Sequence, residues 1–261
     1  MQAFAFHAPS SVAAAIQAGT GVDAKYIAGG QTLLQSMKLG LAAPEALVSV
    51  TGIAGLAGIT VANGVVKIGA ATTHATVAAS AEVQKAIPAL AELAGKIGDR
   101  AVRNLGTIGG SLANDDPAAC YPAAVLGLGA TVHTDRRDIP ADSFFQGLFT
   151  TALADGEMIT AVSFPIPAKA GWQKFKQPAS RFSLVGVFVS QGPAGTRLAV
   201  TGAGSGGVFR ASALEAKLAA SWSAAALAGA TVDAGNLISD LHGSAEYRAA
   251  LIPVLSARAV G

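Results

Sequence analysis

Two glycine-rich segments constrain this chain more than any other feature. The first, Ala28-Gly29-Gly30-Gln31-Thr32, follows a stretch, Lys25–Ala28, that reads as a strand, and leads into a helical segment, Thr32–Leu39. In such a junction backbone N–H groups lie open to a ligand. Glycine has no side chain to hold a phosphate away, and the first turn of a helix adds unpaired donors and the positive end of its dipole. Gln31 and Thr32 supply side-chain donors as well. The second segment, Asn104-Leu105-Gly106-Thr107-Ile108-Gly109-Gly110-Ser111, repeats the chemistry with three glycines. Neither matches the G-x-G-x-x-G fingerprint, and neither is a P-loop, since no Gly-Lys-Ser/Thr follows. Alone, each is an anion cradle or a tight turn that binds nothing. Together they suit a clamp that grips a diphosphate from two sides.

The first loop sits in a β-α-β-α-β run: strands at Ala3–Phe6, Lys25–Ala28 and Leu47–Val50, and helices at Val12–Ala18 and Thr32–Leu39. That order predicts a small parallel sheet. The pattern then becomes mixed. Asn63-Gly64 between Gly58–Val61 and Val65–Gly69 predicts a type I′ hairpin. Helices are expected at Ala75–Ala79, Ala81–Gly95 and Pro122–Leu128, a long loop at Arg100–Asp116, and strands at Ala130–Thr134 and Met158–Phe164. Pro165-Ile166-Pro167 stops helix and sheet alike and marks a boundary. Beyond it, Trp172–Lys176, Ser183–Ser190 and Leu198–Thr201 read as an antiparallel sheet, and Ala213–Ala220, Ser223–Ala228 and Ala245–Ala259 as helices.

The 261 residues suffice for one large domain or two ordinary ones. Apolar types make up 51% and charged types 13%. Much of the surface must therefore lie in a large core or against partner proteins, and partners are favoured because a lone soluble chain keeps more charge outside. A net charge of +2 with no basic cluster argues against nucleic acid. The single cysteine, Cys120, excludes an internal disulfide, fits a reducing compartment, and excludes an iron–sulfur cluster built on this chain's own thiolates. No signal peptide is expected, because the opening residues lack a basic stretch followed by an apolar run. The most apolar segment, Ala118–Val132, contains Pro122 and falls short of the ~20 residues a bilayer span needs. The expected location is the cytoplasm, with no transmembrane segment.

The order of the motifs is informative. Ala28-Gly29-Gly30-Gln31-Thr32-Leu33 is followed, about 75 residues on, by Thr107-Ile108-Gly109-Gly110-Ser111-Leu112-Ala113-Asn114-Asp115-Asp116-Pro117, and later by Phe175-Lys176-Gln177-Pro178-Ala179-Ser180-Arg181. This arrangement resembles the FAD-binding medium subunit of the molybdenum hydroxylases, the family of carbon monoxide dehydrogenase and xanthine dehydrogenase. Its pattern is a strand followed by Ala-Gly-Gly-His/Gln/Asn-Ser/Thr-Leu, then Thr-Ile-Gly-Gly-Ser/Asn with a downstream Asp-Pro, then Phe-Lys-x-x-x-x-Arg. The resemblance covers essentially the whole chain, including Gly202–Glu215 and its Arg210.

The resemblance implies an α+β fold. A vanillyl-alcohol-oxidase-like FAD-binding domain spans residues 1–167, in subdomains of about 1–53 (a small parallel sheet) and 54–167 (a mixed and antiparallel sheet). A C-terminal domain, residues 168–261, carries an antiparallel sheet with a helical bundle. FAD is implied on this chain, its pyrophosphate held by Ile27, Ala28, Gly29, Gly30, Gln31, Thr32, Leu33 and Leu34 and by Gly106, Thr107, Ile108, Gly109, Gly110 and Ser111. Ile97 would meet the flavin region, Asp116 the ribose and adenine side, and Ile159 would pack on the cofactor. Lys176 would lie near the pyrimidine edge of the isoalloxazine, where a cation stabilises negative charge on the reduced ring. One position departs. The family's Asp-Pro-x-x-Asp becomes Asp116-Pro117-Ala118-Ala119-Cys120, and a thiol is a poorer acceptor than a carboxylate, which leaves that contact to the backbone or to Tyr121.

The implied partners are a large subunit with the molybdenum cofactor, where substrate is hydroxylated, and a small subunit with two [2Fe–2S] clusters. They assemble as a dimer of heterotrimers, a heterohexamer. Electrons pass from the clusters to this FAD and on to an external acceptor. No catalytic residue and no metal is expected on this chain. The competing enzyme reading is a self-contained FAD-dependent reductase or oxidase of the same broad fold, resembling the enolpyruvyl-sugar reductases of cell-wall synthesis. It needs a serine or acidic proton donor in the C-terminal part, where Ser183, Ser205 and Glu215 form no recognisable constellation. A structural protein without flavin is the third reading.

Other polar residues read more plainly. His74 is structural or near the cofactor without proton work. His7, His133 and His242 are scattered and lack ligand spacing. Cys120 is a small buried residue or a flavin neighbour. Asp135-Arg136-Arg137-Asp138 reads as a solvated turn, Gly202–Gly207 as a structural turn, and Trp172 and Trp222 as core or interface residues. Asp99, Arg100 and Arg103 suit salt bridges as well as they suit phosphate.

Overall fold

The computed structural model describes residues 2–261; Met1 lies outside them. The chain opens with β1 (Ala5–His7), α1 (Val12–Ala18), β2 (Ala24–Ile27), α2 (Leu33–Lys38) and β3 (Ala46–Ser49). The three strands pair in parallel in the order β1-β3-β2. Ser11 caps α1 by accepting the Ala14 N–H. Alternation along the strands feeds both faces. Ile27 and Leu47 pack under α2 with Met37, while Val48 turns to the other face with Ala15 of α1. The first glycine loop leaves the carboxyl end of β2, where ligands bind in open sheets of this kind.

The second body begins with the hairpin β4 (Ile59–Ala62) and β5 (Val65–Gly69), whose turn residues Asn63 and Gly64 have φ of 51° and 74°, as a type I′ turn requires. Six helices follow: α3 (His74–Ala79), α4 (Ala81–Ala86), α5 (Pro88–Gly95), α6 (Arg100–Leu105), α7 (Ile108–Asn114) and α8 (Tyr121–Leu128). Then come β6 (Thr131–Thr134), β7 (Asp138–Pro140), the short α9 (Ala141–Phe144), the ribbon β8 (Phe145–Gly147) with β9 (Thr150–Thr151), and β10 (Ile159–Pro165). An antiparallel sheet runs β4-β5-β10-β6-β7.

Two expectations fail here for identifiable reasons. The single helix expected over Ala81–Gly95 divides at Ile87, because Pro88 has no N–H to continue α4 and instead starts α5. The long loop expected over Arg100–Asp116 is mostly helical. Asp99 caps α6 by accepting the Val102 N–H (2.9 Å), and Thr107 caps α7 by accepting the Gly110 N–H (3.1 Å). Gly109 and Gly110 lie inside α7, where glycine's low helix propensity hides the element.

The last body is the sheet β11 (Lys169–Lys176), β12 (Ser183–Gly192), β13 (Gly195–Thr201) and β14 (Phe209–Arg210), covered by α10 (Ser212–Ala220), a 3-10 turn at Ala224–Leu227 and α11 (Ala245–Val260). Strand β12 is buried on both faces, which its unbroken apolar run reflects. Val185, Val187 and Val189 pack against α10 and α11. Phe188, with Trp172 and Ala199, joins the core of Ile87, Tyr121 and Leu128. That core therefore runs across Pro165–Pro167, and the Ser190 hydroxyl donates to the Gly127 carbonyl of α8 (2.6 Å). No helix among the described residues is long and apolar enough to cross a membrane.

One buried cation ties α11 to this sheet. Arg248, 2% exposed, donates to the Leu184 and Gly202 carbonyls (2.7 and 2.8 Å) and to Asp240 (2.7 Å). Arg248→Met leaves two buried carbonyls without a donor, and an unfolding free-energy loss of about 3–5 kcal/mol is expected in denaturant titration. Arg258→Met, on the exposed end of the same helix, is expected to stay within about 0.5 kcal/mol of the parent.

Candidate cofactor site

The two glycine loops meet. A Cβ built on Gly29 would overlap the Leu105 carbonyl oxygen and lie 2.7 Å from the Gly106 nitrogen. Their junction is one wall of a cavity of about 860 Å³, toward the upper end of the ~300–1,000 Å³ typical of cofactor pockets.

The loops do not contribute alike. In the first, the backbone N–H groups of Gly29, Gly30, Gln31, Thr32 and Leu33 have no acceptor among the described residues. Gly30 takes φ +67° there, and Leu34 N–H returns to its carbonyl (3.2 Å). In the second, the donors are largely consumed. Gly106 bonds Val102 (2.7 Å), Ile108 bonds Thr72 (3.2 Å), Gly109 bonds Ala70 (2.9 Å) and Ser111 bonds Thr107 (3.0 Å), while Gly110 meets the Thr107 hydroxyl. The symmetric clamp expected from composition is thus a donor-rich loop facing a loop whose amides hold the fold together.

Of the residues singled out beforehand, Ile27, Ala28, Gly29, Gly30, Gln31, Thr32, Leu33, Ile97, Gly106, Thr107, Gly110, Ser111 and Asp116 line the cavity. Gly109 and Ile159 line a smaller cleft of about 80 Å³ that shares Ala28, Thr107 and Gly110 with it. Three others reach neither. Leu34 packs with Ile27 and Met37 under the sheet. Ile108 is fully buried in the main core. Lys176 is exposed beyond a β-bulge between Phe175 and Lys176. Lys174 of β11 lines the cavity instead, donating to the Lys96 carbonyl (3.1 Å) and to Cys120 Sγ (3.3 Å).

Sequence reasoning missed the residues that shape the walls. Among the described residues Arg103 pairs with no carboxylate; it donates to the carbonyls of Ile97 and Gly98 (2.9 and 3.1 Å) and so fixes the turn that presents Ile97. Arg181 reaches the same Gly98 carbonyl (3.4 Å). The cluster read as a solvated turn is an exposed bend, with Arg136, Arg137 and Asp138 open to solvent, and it also acts as a clamp. Arg137 grips Glu157 (2.9 Å), and Asp135 accepts the Met158 N–H (2.7 Å), which holds the wall segment Leu153–Glu157. The Arg137 hydrogen bond brings the Glu157 pKa down to about 2. Tyr26 closes the wall by donating to the Gly156 carbonyl (3.0 Å). On the opposite side, the Thr201 hydroxyl donates to the carbonyls of Pro117 and Ala119 (3.0 and 2.7 Å), fixing the Asp116–Cys120 stretch. Ser183, Ser205 and Glu215 are not brought together: Ser183 touches Cys120 Sγ (3.4 Å), Ser205 bonds Asn236 and Glu215 bonds Arg210.

Comparisons with known proteins show which chains this one is similar to. The family model described as the FAD binding domain in molybdopterin dehydrogenase matches residues 2–167. The nicotine 6-hydroxylase medium subunit of Paenarthrobacter nicotinovorans is 34% identical, over 100% of this chain and 97% of the relative. The carbon monoxide dehydrogenase medium chain of Hydrogenophaga pseudoflava is 34% identical, over 98% and 96%. Among solved structures, reconstituted CO dehydrogenase from Oligotropha carboxidovorans superposes with a TM-score of 0.89 at 30% identity, covering 99% of this chain and 96% of that one.

Two tests follow. Gly110 faces the cavity, where a Cβ would meet only the Thr107 hydroxyl at 3.1 Å, whereas a Cβ on Gly30 would meet Leu34 at 2.7 Å and suffer the positive φ. Gly110→Val is expected to keep the parental melting temperature and lose flavin; Gly30→Val is expected to lose both, read by thermal unfolding and bound-flavin absorbance. Asp115, at φ 44° and 3% exposed with Oδ2 unpartnered, has its pKa raised to about 7 by burial and then by Asp116. Its folded pKa exceeds its unfolded one, so its contribution is complete in acid and is lost as pH rises through 7. Asp115→Asn is expected to exceed the parent's unfolding free energy at pH ~8 by on the order of 2–4 kcal/mol, the gap closing toward pH ~4. Equal stabilities at the two pH values would disprove this.

Proposed function

The chain belongs to the FAD-binding medium-subunit family of the molybdenum hydroxylases, and from that premise we propose that it relays electrons from the [2Fe–2S] clusters of a small partner subunit to an external acceptor. Substrate is hydroxylated elsewhere, at the molybdenum cofactor of a large partner subunit. The three chains pair as a dimer of heterotrimers in the cytoplasm.

One observation carries the cofactor assignment: a row of open backbone N–H groups, Gly29 to Leu33, faces a cavity large enough for a dinucleotide. FAD, when bound, supplies both one- and two-electron redox chemistry. The chain's own groups hold it. The first-loop amides bind the diphosphate, and Gly110 and Ser111 close the second side without a Cβ in the way at Gly110. Ile97, held by Arg103, presents an apolar surface that excludes water, and Lys174 places a cation on the wall. His74 is uncharged near neutral pH, because burial and then Arg103 bring its pKa down to about 4. A relay needs no proton donor from the protein, and the reading asks none of it.

The assembled complex tests the reading. As purified it is expected to hold one FAD on each medium chain. Stripping that FAD is expected to leave substrate-driven bleaching of the clusters intact and to abolish transfer to the acceptor. Parental turnover with the acceptor after stripping would refute the relay, and oxidation of an organic substrate by the isolated chain would favour a self-contained enzyme.

A further inference from the structure

His74 begins α3 beneath the junction of the two loops. Its backbone N–H donates to the Gly106 carbonyl (2.9 Å), and the neighbouring Thr73 pairs with Thr107 across a single bridge. A Cβ on Gly106 would come within 2.7 Å of the His74 Nε2. On its other side the imidazole meets the Tyr121 ring, centroids 5.3 Å apart. Gly29, Gly106, His74 and Tyr121 thus form a column, with the donor-rich loop at its top.

The side chain is 5% exposed and lines the cavity. Its Nδ1 is enclosed without a partner, so the nitrogen open to a ligand is Nε2, which makes no hydrogen bond among the described residues. Buried donors without acceptors are costly and rare. Near neutral pH the uncharged imidazole carries one N–H and one lone pair. The other enclosed, unpartnered atoms, on Asp115, Tyr121, Trp172 and Arg248, belong to residues that do not line the cavity. His74 therefore brings an unpartnered ring nitrogen, Nε2, to the wall of the cofactor cavity beside Gly106.

Resting on the reading that FAD occupies this cavity, we propose that His74 is a further cofactor-binding residue, donating a neutral imidazole N–H to an oxygen of the bound dinucleotide where the two glycine loops meet. An imidazolium at this spot would be a buried charge facing Arg103. The neutral ring supplies direction without that repulsion, and its packing on Tyr121 keeps the donor in place.

The full chain, stripped of flavin and titrated with FAD by fluorescence, tests this. His74→Phe keeps a ring against Tyr121 and removes the N–H; His74→Gln returns a donor. The Phe variant is expected to unfold, flavin-free, at the parental temperature or above, yet to bind FAD roughly ten-fold more weakly and with altered visible circular dichroism of the bound flavin. The Gln variant is expected to recover to within roughly three-fold of the parent. Parental affinity and parental flavin spectrum in His74→Phe would overturn the assignment of His74 and leave that of the cavity standing. Failure of the parent itself to bind FAD would overturn the cavity assignment. If Phe prevents folding, His74→Met serves as the N–H-free variant under the same criteria.

Discussion

The cofactor cavity depends on a contact that contains no side chain, the seat of Gly29 against the Leu105–Gly106 peptide. A methyl group on Gly29 would overlap the Leu105 carbonyl oxygen at the end of α6. The contact presses the carboxyl edge of the parallel sheet onto the joint between α6 and α7. Two more glycines extend the fit downward. Gly106 clears the His74 ring, and Gly109 clears Ala70, so that α7 can lie on the end of β5. Three of the glycines that composition assigns to phosphate approach thus serve approach between segments of the chain. Gly30 is needed for its positive φ, and at Gly110 a Cβ would meet only the Thr107 hydroxyl.

This packing explains why the loops differ as donors. The second loop is held by hydrogen bonds to Ala70, Thr72 and the Thr107 cap, so it arrives rigid and with few free amides. The first hangs from the edge strand β2 and keeps its amides open. Charge follows a similar division. Lys174, Arg103 and Arg181 converge on the successive carbonyls of Lys96, Ile97 and Gly98, and none of the three is ion-paired among the described residues. That wall of the cavity is positive, and the carboxylate of Glu157 on another wall is neutralised by Arg137.

Much of this was legible in the residues. The β-α-β-α-β order, the Asn63-Gly64 turn and the paired loop motifs each carry a local physical cause, and local causes survive in sequence. What was lost is register and long-range contact. Leu34 and Ile108 belong to the loop motifs, yet each turns a face to the core, because membership in a motif does not set direction. Lys176 stands where the resemblance places a flavin-side lysine. A bulge after Phe175 removes it from the cavity, and Lys174 takes that wall. The helices α6 and α7 are short, and only their caps, Asp99 and Thr107, betray them. The break expected at Pro165–Pro167 ends strands but does not divide the core, since Trp172 and Phe188 reach back to α8.

Cys120 shows how one departure from the family pattern acts in two directions. Where the family pattern has a second aspartate, this chain has a thiol, a weaker acceptor than a carboxylate. The same substitution frees a charge. Cys120 Sγ lies 3.3 Å from the Lys174 ammonium, at a position where a carboxylate would form an ion pair and cancel much of that cation's field. With sulfur there, Lys174 has no carboxylate in contact among the described residues, and it lines the cavity. A lost hydrogen bond and an uncompensated cation therefore arise from one residue. The second favours negative charge on any group that lies against that wall.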